Sequence, residues 1–102
     1  MRKIYRARFI LPAMNDEQII KTYFKDVLRE CRIKAGMTQE QLAGLTDVSK
    51  GFIGMMETGE RWPNVDMMIR LAEAMRVRPG EMLDAVVARW KADDRKPIKT
   101  GE

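Results

Sequence analysis

Side chains able to perform acid–base or metal chemistry are scarce in this chain. It contains no histidine and a single cysteine, Cys31. Histidine is the commonest general base, it activates many nucleophiles, and it is a frequent zinc ligand. No cluster of acid, base, nucleophile or ligand residues has a spacing typical of an active site. We therefore expect no enzyme activity, no metal site and no cofactor.

The charged residues indicate a polyanionic partner instead. The formal net charge is +4, but it is unevenly distributed. Residues 1–13 contain four basic side chains and no carboxylate, whereas residues 38–60 sum to −3, because Lys50 stands against four carboxylates. A basic arm is typical of proteins that bind nucleic acid or an acidic membrane surface. No apolar run is long enough to span a bilayer.

The length of 102 residues, of which 45% are hydrophobic and 33% charged, indicates one compact globular domain. We expect a basic N-terminal arm at residues 1–13, a helical domain at residues 14–92 and a polar tail at residues 93–102. A lone cysteine fits a reducing compartment, so the expected location is the cytoplasm.

The N-terminal arm has the alternation of a β-strand over residues 4–11, with Tyr5, Phe9 and Leu11 on one face. A single strand cannot form a sheet, so this pattern predicts pairing with a second subunit. Arg6 and Arg8 lie on the other face, where their charge favours contact with nucleic acid. A groove-inserting arm and a disordered leader are the alternative interpretations.

A helical period dominates the chain after the arm and predicts five helices. Their buried sides are expected to include Met68, Ile69, Leu71, Ala72 and Met75 in the fourth helix. The fifth helix has an apolar side made of Met82, Leu83, Val86, Val87 and Trp90. Capping and stop residues set the helix boundaries, namely Asn15, Gly36, Thr38 with Gln41, Ser49, Gly59, Asn64 and Pro79.

Residues 38–58 have the form of a helix-turn-helix motif. Two short helices are separated by about three residues, and Ala43 is small where the helices would cross. In such a motif the second helix enters the major groove of DNA with its N-terminal residues first.

The order and spacing of these segments resemble the Cro/C1-type (lambda-repressor-like) helix-turn-helix domains. The resemblance extends from about residue 27 to residue 87 and includes Met-Thr-Gln-Glu-Gln-Leu-Ala at 37–43, Met-Glu-Thr-Gly at 56–59 and Arg-Trp-Pro at 61–63. It implies an all-α, five-helix DNA-binding domain, usually dimeric and usually a transcription regulator. It also implies that Arg32 of the first helix pairs with Glu57 at the end of the third.

The resemblance also implies where DNA would be contacted. Gln39 matches a position that reaches a phosphate or the first base, and Ser49, Lys50, Gly51 and Met55 match positions that face base edges. The whole expected DNA-binding set is Gln39, Ser49, Lys50, Gly51, Phe52, Met55, Arg61, Arg6 and Arg8.

Two departures from the family pattern affect this interpretation. Asp47 stands where the family usually has glycine in the turn, but aspartate tolerates a left-handed backbone. Gly51 and Gly54 lie inside the short recognition helix, each at a cost of about 1 kcal/mol relative to alanine. This helix offers a single lysine to the groove, so direct base readout is expected to be weak. Phosphate contacts and an apolar contact to a thymine methyl would then contribute.

We therefore expect a sequence-specific DNA-binding transcription regulator, with repression as the expected mode, that acts as a homodimer. Its dimer interface would use Tyr5, Phe9 and Leu11 of the arm, or Val87 and Trp90 of the fifth helix. A phage or mobile-element repressor and a toxin-neutralising antitoxin both fit this size. The alternative is a protein-interaction module, favoured by the acidic motif and by the apolar residues Trp62 and Trp90.

Overall fold

The protein has an all-α fold. The computed structural model describes residues 16–93, which form α1 (Asp16–Lys34), α2 (Gln39–Thr46), α3 (Lys50–Thr58), α4 (Val65–Ala74) and α5 (Pro79–Ala92). None of these described helices is both long and apolar enough to cross a membrane. The arm at residues 1–13, its strand at residues 4–11, the Asn15 cap and the tail beyond residue 93 lie outside the described residues. The expectations for Tyr5, Arg6, Arg8, Phe9 and Leu11 therefore remain predictions.

The caps predicted for the second, third and fourth helices are confirmed. The Thr38 hydroxyl accepts a hydrogen bond from the backbone N–H of Gln41 (3.0 Å), while the Gln41 side-chain oxygen accepts one from the Thr38 N–H (2.9 Å). The Ser49 hydroxyl accepts from the N–H of Phe52 at 3.0 Å. The Asn64 side chain caps α4 in the same way. These bonds satisfy N–H groups that a helix start leaves without intrahelical partners.

The turn between α2 and α3 forms in spite of the missing glycine. Asp47 adopts the left-handed conformation, with φ 61° and ψ 41°. The next N–H, that of Val48, donates to the Ala43 carbonyl at 3.1 Å and closes the turn. Aspartate has a short polar side chain and so tolerates this backbone better than most non-glycine residues. The tight turn therefore does not require glycine here.

One hydrophobic core holds the described helices together. α1 packs against α3 and α5, α2 packs against α3 and α4, and α4 packs against α5. Ala43 is buried at the crossing of α2 and α3, as its small size predicted. The core side chains are Phe24, Val27, Leu28, Leu42, Ala43, Ile53, Met56, Met68, Leu71, Ala72, Met75, Met82 and Val86.

The burial predicted for Ile69 is wrong. Met68, Leu71, Ala72 and Met75 are buried as expected, but the Ile69 side chain is 44% exposed. A helical period identifies an apolar side, but the neighbouring helices cover a narrower strip than the sequence pattern suggests.

Candidate nucleic-acid interface

The starts of α2 and α3 are brought together by the crossing of these two helices. Gln39 is the first residue of α2, and Ser49 is the N-cap of α3. A Cβ atom added to Gly54 would lie 3.8 Å from the Gln39 side-chain oxygen, so the start of α2 reaches the middle of α3. That distance is an ordinary van der Waals contact, and alanine would fit at position 54. The close approach therefore does not explain why Gly54 is a glycine.

Arg32, Glu57 and Gln39 form a hydrogen-bonded network that connects the first three helices. Arg32 binds Glu57 through two nitrogens, with Nε–Oε2 at 2.6 Å and Nη2–Oε1 at 3.0 Å. Gln39 Nε2 donates to Glu57 Oε1 at 3.1 Å, and Arg32 Nη1 donates to the Met37 carbonyl at 2.8 Å. The Arg32 and Glu57 side chains are 13% and 5% exposed. The pair implied by the family resemblance is present, and Gln39 is an additional member.

The network keeps the Glu57 carboxylate ionised. Burial by itself would raise the pKa of Glu57, but hydrogen bonds from Arg32 and Gln39, and the positive charge of Arg32, outweigh it and lower the pKa. The hydrogen bond to Glu57 in turn raises the pKa of Arg32. A bidentate pair between charged groups is stronger and more directional than a neutral hydrogen bond. The bidentate pair joins α1 to α3 and the Gln39–Glu57 hydrogen bond joins α2 to α3, so polar contacts as well as the core hold α3 in place.

The expected DNA-binding residues of the motif differ in exposure. Ser49, Lys50 and Gly51 are exposed at the start of α3, whereas Phe52 and Met55 are half-buried on its following turns. Phe52 also packs against the core, which limits its reach towards a groove. Their contacts to DNA remain predictions.

Gln39 is less available than its sequence position suggests. It is half-buried, and one of its two amide hydrogens is committed to Glu57. Its second amide hydrogen and its oxygen are left for a phosphate or a base edge. The network therefore holds the Gln39 amide in one orientation before any ligand binds.

The motif is less acidic at its surface than its sequence indicates. Glu57 is almost fully buried and is neutralised by Arg32. Glu40, Asp47 and Glu60 are exposed, against the single exposed cation of Lys50, so the surface charge of residues 38–60 is −2 rather than −3. The acidity that favoured a protein-interaction module is thus partly a buried structural pair.

Sequence reasoning missed a row of basic side chains on α1, beside α3 and the loop after it. The Lys21 ammonium lies over the Trp62 ring, 4.9 Å from its centroid. The Lys25 stem lies close to Gly59, because a Cβ atom added to Gly59 would be only 3.2 Å from Lys25 Cδ. The spacing of four residues between Lys21 and Lys25, which places both on one side of a helix, was the sequence signal that could have identified this row.

Trp62 is not the free apolar surface that the sequence suggested. It lies in the loop after α3, where it is half-buried and covered by Lys21.

The Arg61 backbone is fixed just after the end of α3. Its N–H donates to the Met55 carbonyl at 3.1 Å, and its side chain is exposed. Gly59, with φ 91°, supplies the left-handed residue that ends α3. Arg61 therefore projects from a defined turn next to α3.

Neither metal chemistry nor thiol chemistry is indicated among the described residues. Within residues 16–93 no group of three His, Cys, Asp or Glu side chains could hold a metal ion. Cys31 is half-buried, and this burial raises the pKa of its thiol although Lys34 partly opposes the shift. A raised pKa disfavours the reactive thiolate.

The apolar side of α5 is covered incompletely. Met82 and Val86 are buried, but Leu83 and Val87 are 41% and 37% exposed, and Trp90 is half-buried. The helix itself is firmly attached to α1, because Arg89 pairs with Glu30 and the Tyr23 hydroxyl donates to Asp93 at 2.6 Å. The exposed face of α5 is thus presented on a fixed element.

Comparison with known proteins gives a family match over the motif and its supporting helices. The helix-turn-helix (HTH_3) family profile matches residues 28–82. The control protein C.BamHI of Bacillus amyloliquefaciens is 32% identical over 66 residues, which are 64% of this chain and 82% of that protein.

Solved structures show the same fold. The restriction-modification controller protein C.AhdI from Aeromonas hydrophila is 31% identical, with a TM-score of 0.61 over 67% of this chain and 99% of its own. The clp gene regulator ClgR from Corynebacterium glutamicum has a TM-score of 0.67 over 72% of this chain and 96% of its own. At 19% identity this second likeness concerns the fold alone.

Proposed function

Because this chain belongs to the helix-turn-helix family of the Cro/C1 type, we propose that it is a sequence-specific DNA-binding transcription regulator that acts as a homodimer in the cytoplasm. The observation that carries the proposal is the Arg32–Glu57–Gln39 network. It holds the start of α2 against α3, so that Gln39, Ser49 and Lys50 belong to one surface. A rigid surface of this kind binds DNA without first paying an ordering cost.

In the proposed complex α3 enters the major groove with Lys50 and Gly51 leading. Lys50 and the amide of Gln39 bind phosphates, aided by the positive ends of the α2 and α3 dipoles. Met55 supplies an apolar contact to a thymine methyl group. Arg61 follows α3 and reaches the backbone, and the arm residues Arg6 and Arg8 add further charge.

The homodimer would place two copies of α3 in successive major grooves, about one helical turn apart. Leu83 and Val87, exposed and four residues apart on α5, support an isologous apolar contact, with Trp90 beside them. Residues 4–11 are a second proposed contribution to this interface. We propose repression by operator occupancy as the mode of action.

The genes of a restriction-modification system are the proposed target. Two relatives more than 30% identical to this chain are described as a control protein and as a restriction-modification controller protein. The likeness covers 99% of the chain of C.AhdI, so the shared part is that whole controller and not a fragment of it.

A protein-interaction module, such as a toxin-neutralising antitoxin, is the second candidate. It is favoured by the −2 surface charge of residues 38–60 and by the glycines at positions 51 and 54. The two candidates differ in their response to salt, because phosphate contacts release counterions and a protein–protein contact does not depend on them.

Binding to duplex DNA over a range of salt concentrations tests the proposal. Lys50→Ala should reduce the slope of log Kobs against log salt by about 0.9, the value of one phosphate contact. Lys34→Ala, at the far end of α1, is the matched control and should leave the slope unchanged. Wild-type protein that binds no duplex at low salt would favour the interaction module.

Selection from a random duplex library tests the readout. Met55→Ala should change the preferred sequence at one position per half-site, with a loss of about 1 kcal/mol of discrimination. Identical preferences in wild type and variant would remove Met55 from the base-reading set.

A further inference from the structure

The charges of α1 are separated between two of its sides. Lys21, Lys25, Arg29 and Arg32 follow one another at intervals of four, four and three residues, so they share one side of the helix. Two of its carboxylates lie towards α5, where Glu30 pairs with Arg89 and the charge of Asp26 also acts on Arg89. Neither Asp26 nor Glu30 therefore neutralises the basic side.

This basic side runs along the C-terminal half of α3 and the loop that follows. Arg32 binds Glu57, and the charge of Arg29 also contributes to the lowered pKa of Glu57. Further towards the start of α1, Lys25 lies against Gly59. Lys21 lies over Trp62. The basic side of α1 therefore extends from Glu57 of α3 past Gly59 to Trp62 in the loop.

Most of these cations have no carboxylate partner. Among the described residues, Lys21, Lys25, Arg29 and Arg61 form no ion pair, in contrast to Arg32. Lys21, Arg29 and Arg61 are exposed, and Lys25 is half-buried along its stem. The single acidic residue of the loop at 59–62 is Glu60. We call Lys21, Lys25, Arg29 and Arg61 the α1 ridge.

We propose that the α1 ridge binds the phosphate backbone at the edge of the groove that α3 enters. The proposal rests on the DNA-binding function proposed above and extends the contact surface beyond the motif. Residues 38–60 have a surface charge of −2, and Lys50 is the single exposed cation among them, so this segment contributes little positive charge to hold a duplex. The ridge lies next to α3 and carries the opposite sign.

Two features of the ridge favour phosphate contact over a solvated lysine surface. Contact with the Trp62 ring holds the Lys21 ammonium near the loop, which reduces the entropy that a flexible lysine loses on binding. Gly59 has no side chain to push Lys25 away from the end of α3. Both lysines therefore lie beside the end of α3 and the loop that contains Arg61.

The test uses the full chain with Lys21→Gln and Lys25→Gln together. Glutamine keeps much of the stem that packs on Trp62 and Gly59 but removes the charge. The slope of log Kobs against log salt for duplex DNA should fall by about 1.8, the value of two phosphate contacts. The charge-matched control is Lys34→Gln with Arg70→Gln, since Lys34 is exposed and Arg70 forms only an exposed pair with Asp66.

The control pair should change the slope by less than half as much, and Lys21→Arg with Lys25→Arg should restore the wild-type slope. Thermal unfolding followed by circular dichroism checks that all variants are folded. An unchanged slope in the glutamine variant, with Lys50→Ala still lowering it, would overturn the ridge and leave the DNA-binding proposal intact.

Two further outcomes separate the alternatives. Absence of salt-dependent duplex binding in the wild type would overturn the DNA-binding proposal and the ridge with it. An equal loss of binding to poly-glutamate and to duplex DNA in the glutamine variant would identify a general acid-binding surface, and would overturn the assignment to DNA. A loss confined to duplex DNA supports the ridge.

Discussion

α3 and α5 differ in how completely the rest of the chain buries their side chains. α3 buries Ile53 and Met56 completely and leaves Glu57 only 5% exposed, with its carboxylate bound by Arg32 and Gln39. α5 buries Met82 and Val86, yet leaves Leu83 and Val87 41% and 37% exposed. The apolar side of α3 is thus buried within one chain. Part of the apolar side of α5, by contrast, is left exposed by the helices that pack against it.

The difference fits the role that we propose for each helix. A helix that enters a groove has to be held at a fixed angle, and a buried bidentate ion pair fixes an angle better than apolar contact does. Neighbouring apolar side chains on α5, by contrast, can be covered by a second copy of the same surface. We therefore expect substitutions in α3 to lower the free energy of unfolding, and substitutions on the exposed side of α5 to weaken the dimer.

Removing Glu57 should have the largest effect. Glu57→Ala leaves Arg32 buried without its partner and frees Gln39, so the free energy of unfolding should fall by about 3 kcal/mol. The melting temperature should drop by roughly 15 °C, a shift that calorimetry resolves easily. Glu60→Ala, an exposed glutamate three residues further on, is the control and should cost less than about 0.5 kcal/mol. Similar small losses in both variants would show that the network does not stabilise the motif.

Placing a charge on the exposed side of α5 should have the next largest effect. Val87→Asp puts a carboxylate into the proposed dimer contact, so we expect the dimer dissociation constant to rise at least tenfold, which corresponds to about 1.4 kcal/mol. Sedimentation equilibrium of the intact chain at tens of micromolar measures the assembly. Val65→Asp, 68% exposed on α4, is the matched control and should remain dimeric.

A monomeric wild type would refute the dimer, and an unchanged dimer in Val87→Asp would remove α5 from the interface. The same measurement on a chain that begins at Met14 shows how much residues 1–13 contribute to dimerisation. Weaker association after this truncation is expected if Tyr5, Phe9 and Leu11 take part.

Acid titration should show the smallest effect of the three. The pKa of Glu57 is lowered in the folded protein, so its contribution to stability is fully present above the pKa of the unfolded chain. This contribution is lost as the pH falls through the lower folded pKa. Chemical unfolding of wild type and Glu57→Gln below pH 5 measures it. The glutamine variant should have the flatter profile, and parallel profiles would contradict the assigned network.

The helices and their caps are largely readable from the sequence because the interactions that set them are local. Thr38 and Gln41, or Ser49 and the N–H of Phe52, are three residues apart and meet in any helix start of this type. The pairing of Arg32 with Glu57 depends on how the helices cross, which local sequence patterns do not specify. It was expected because the family resemblance implies it.

Tertiary structure decided which side chains the local patterns leave exposed and which distant ones meet. Ile69 has the spacing of a core residue but is exposed, because the covering helices follow a narrower path than its helical period indicates. Gln39 joins Glu57, and Lys21 covers Trp62, across separations of 18 and 41 residues, and no local pattern specifies either contact. The sequence by itself determined where α2, α3 and α4 begin, since capping chemistry acts within one turn. The basic ridge beside α3 and the open side of α5 exist only once the helices cross, because packing angles decide which faces are shared and which remain at the surface.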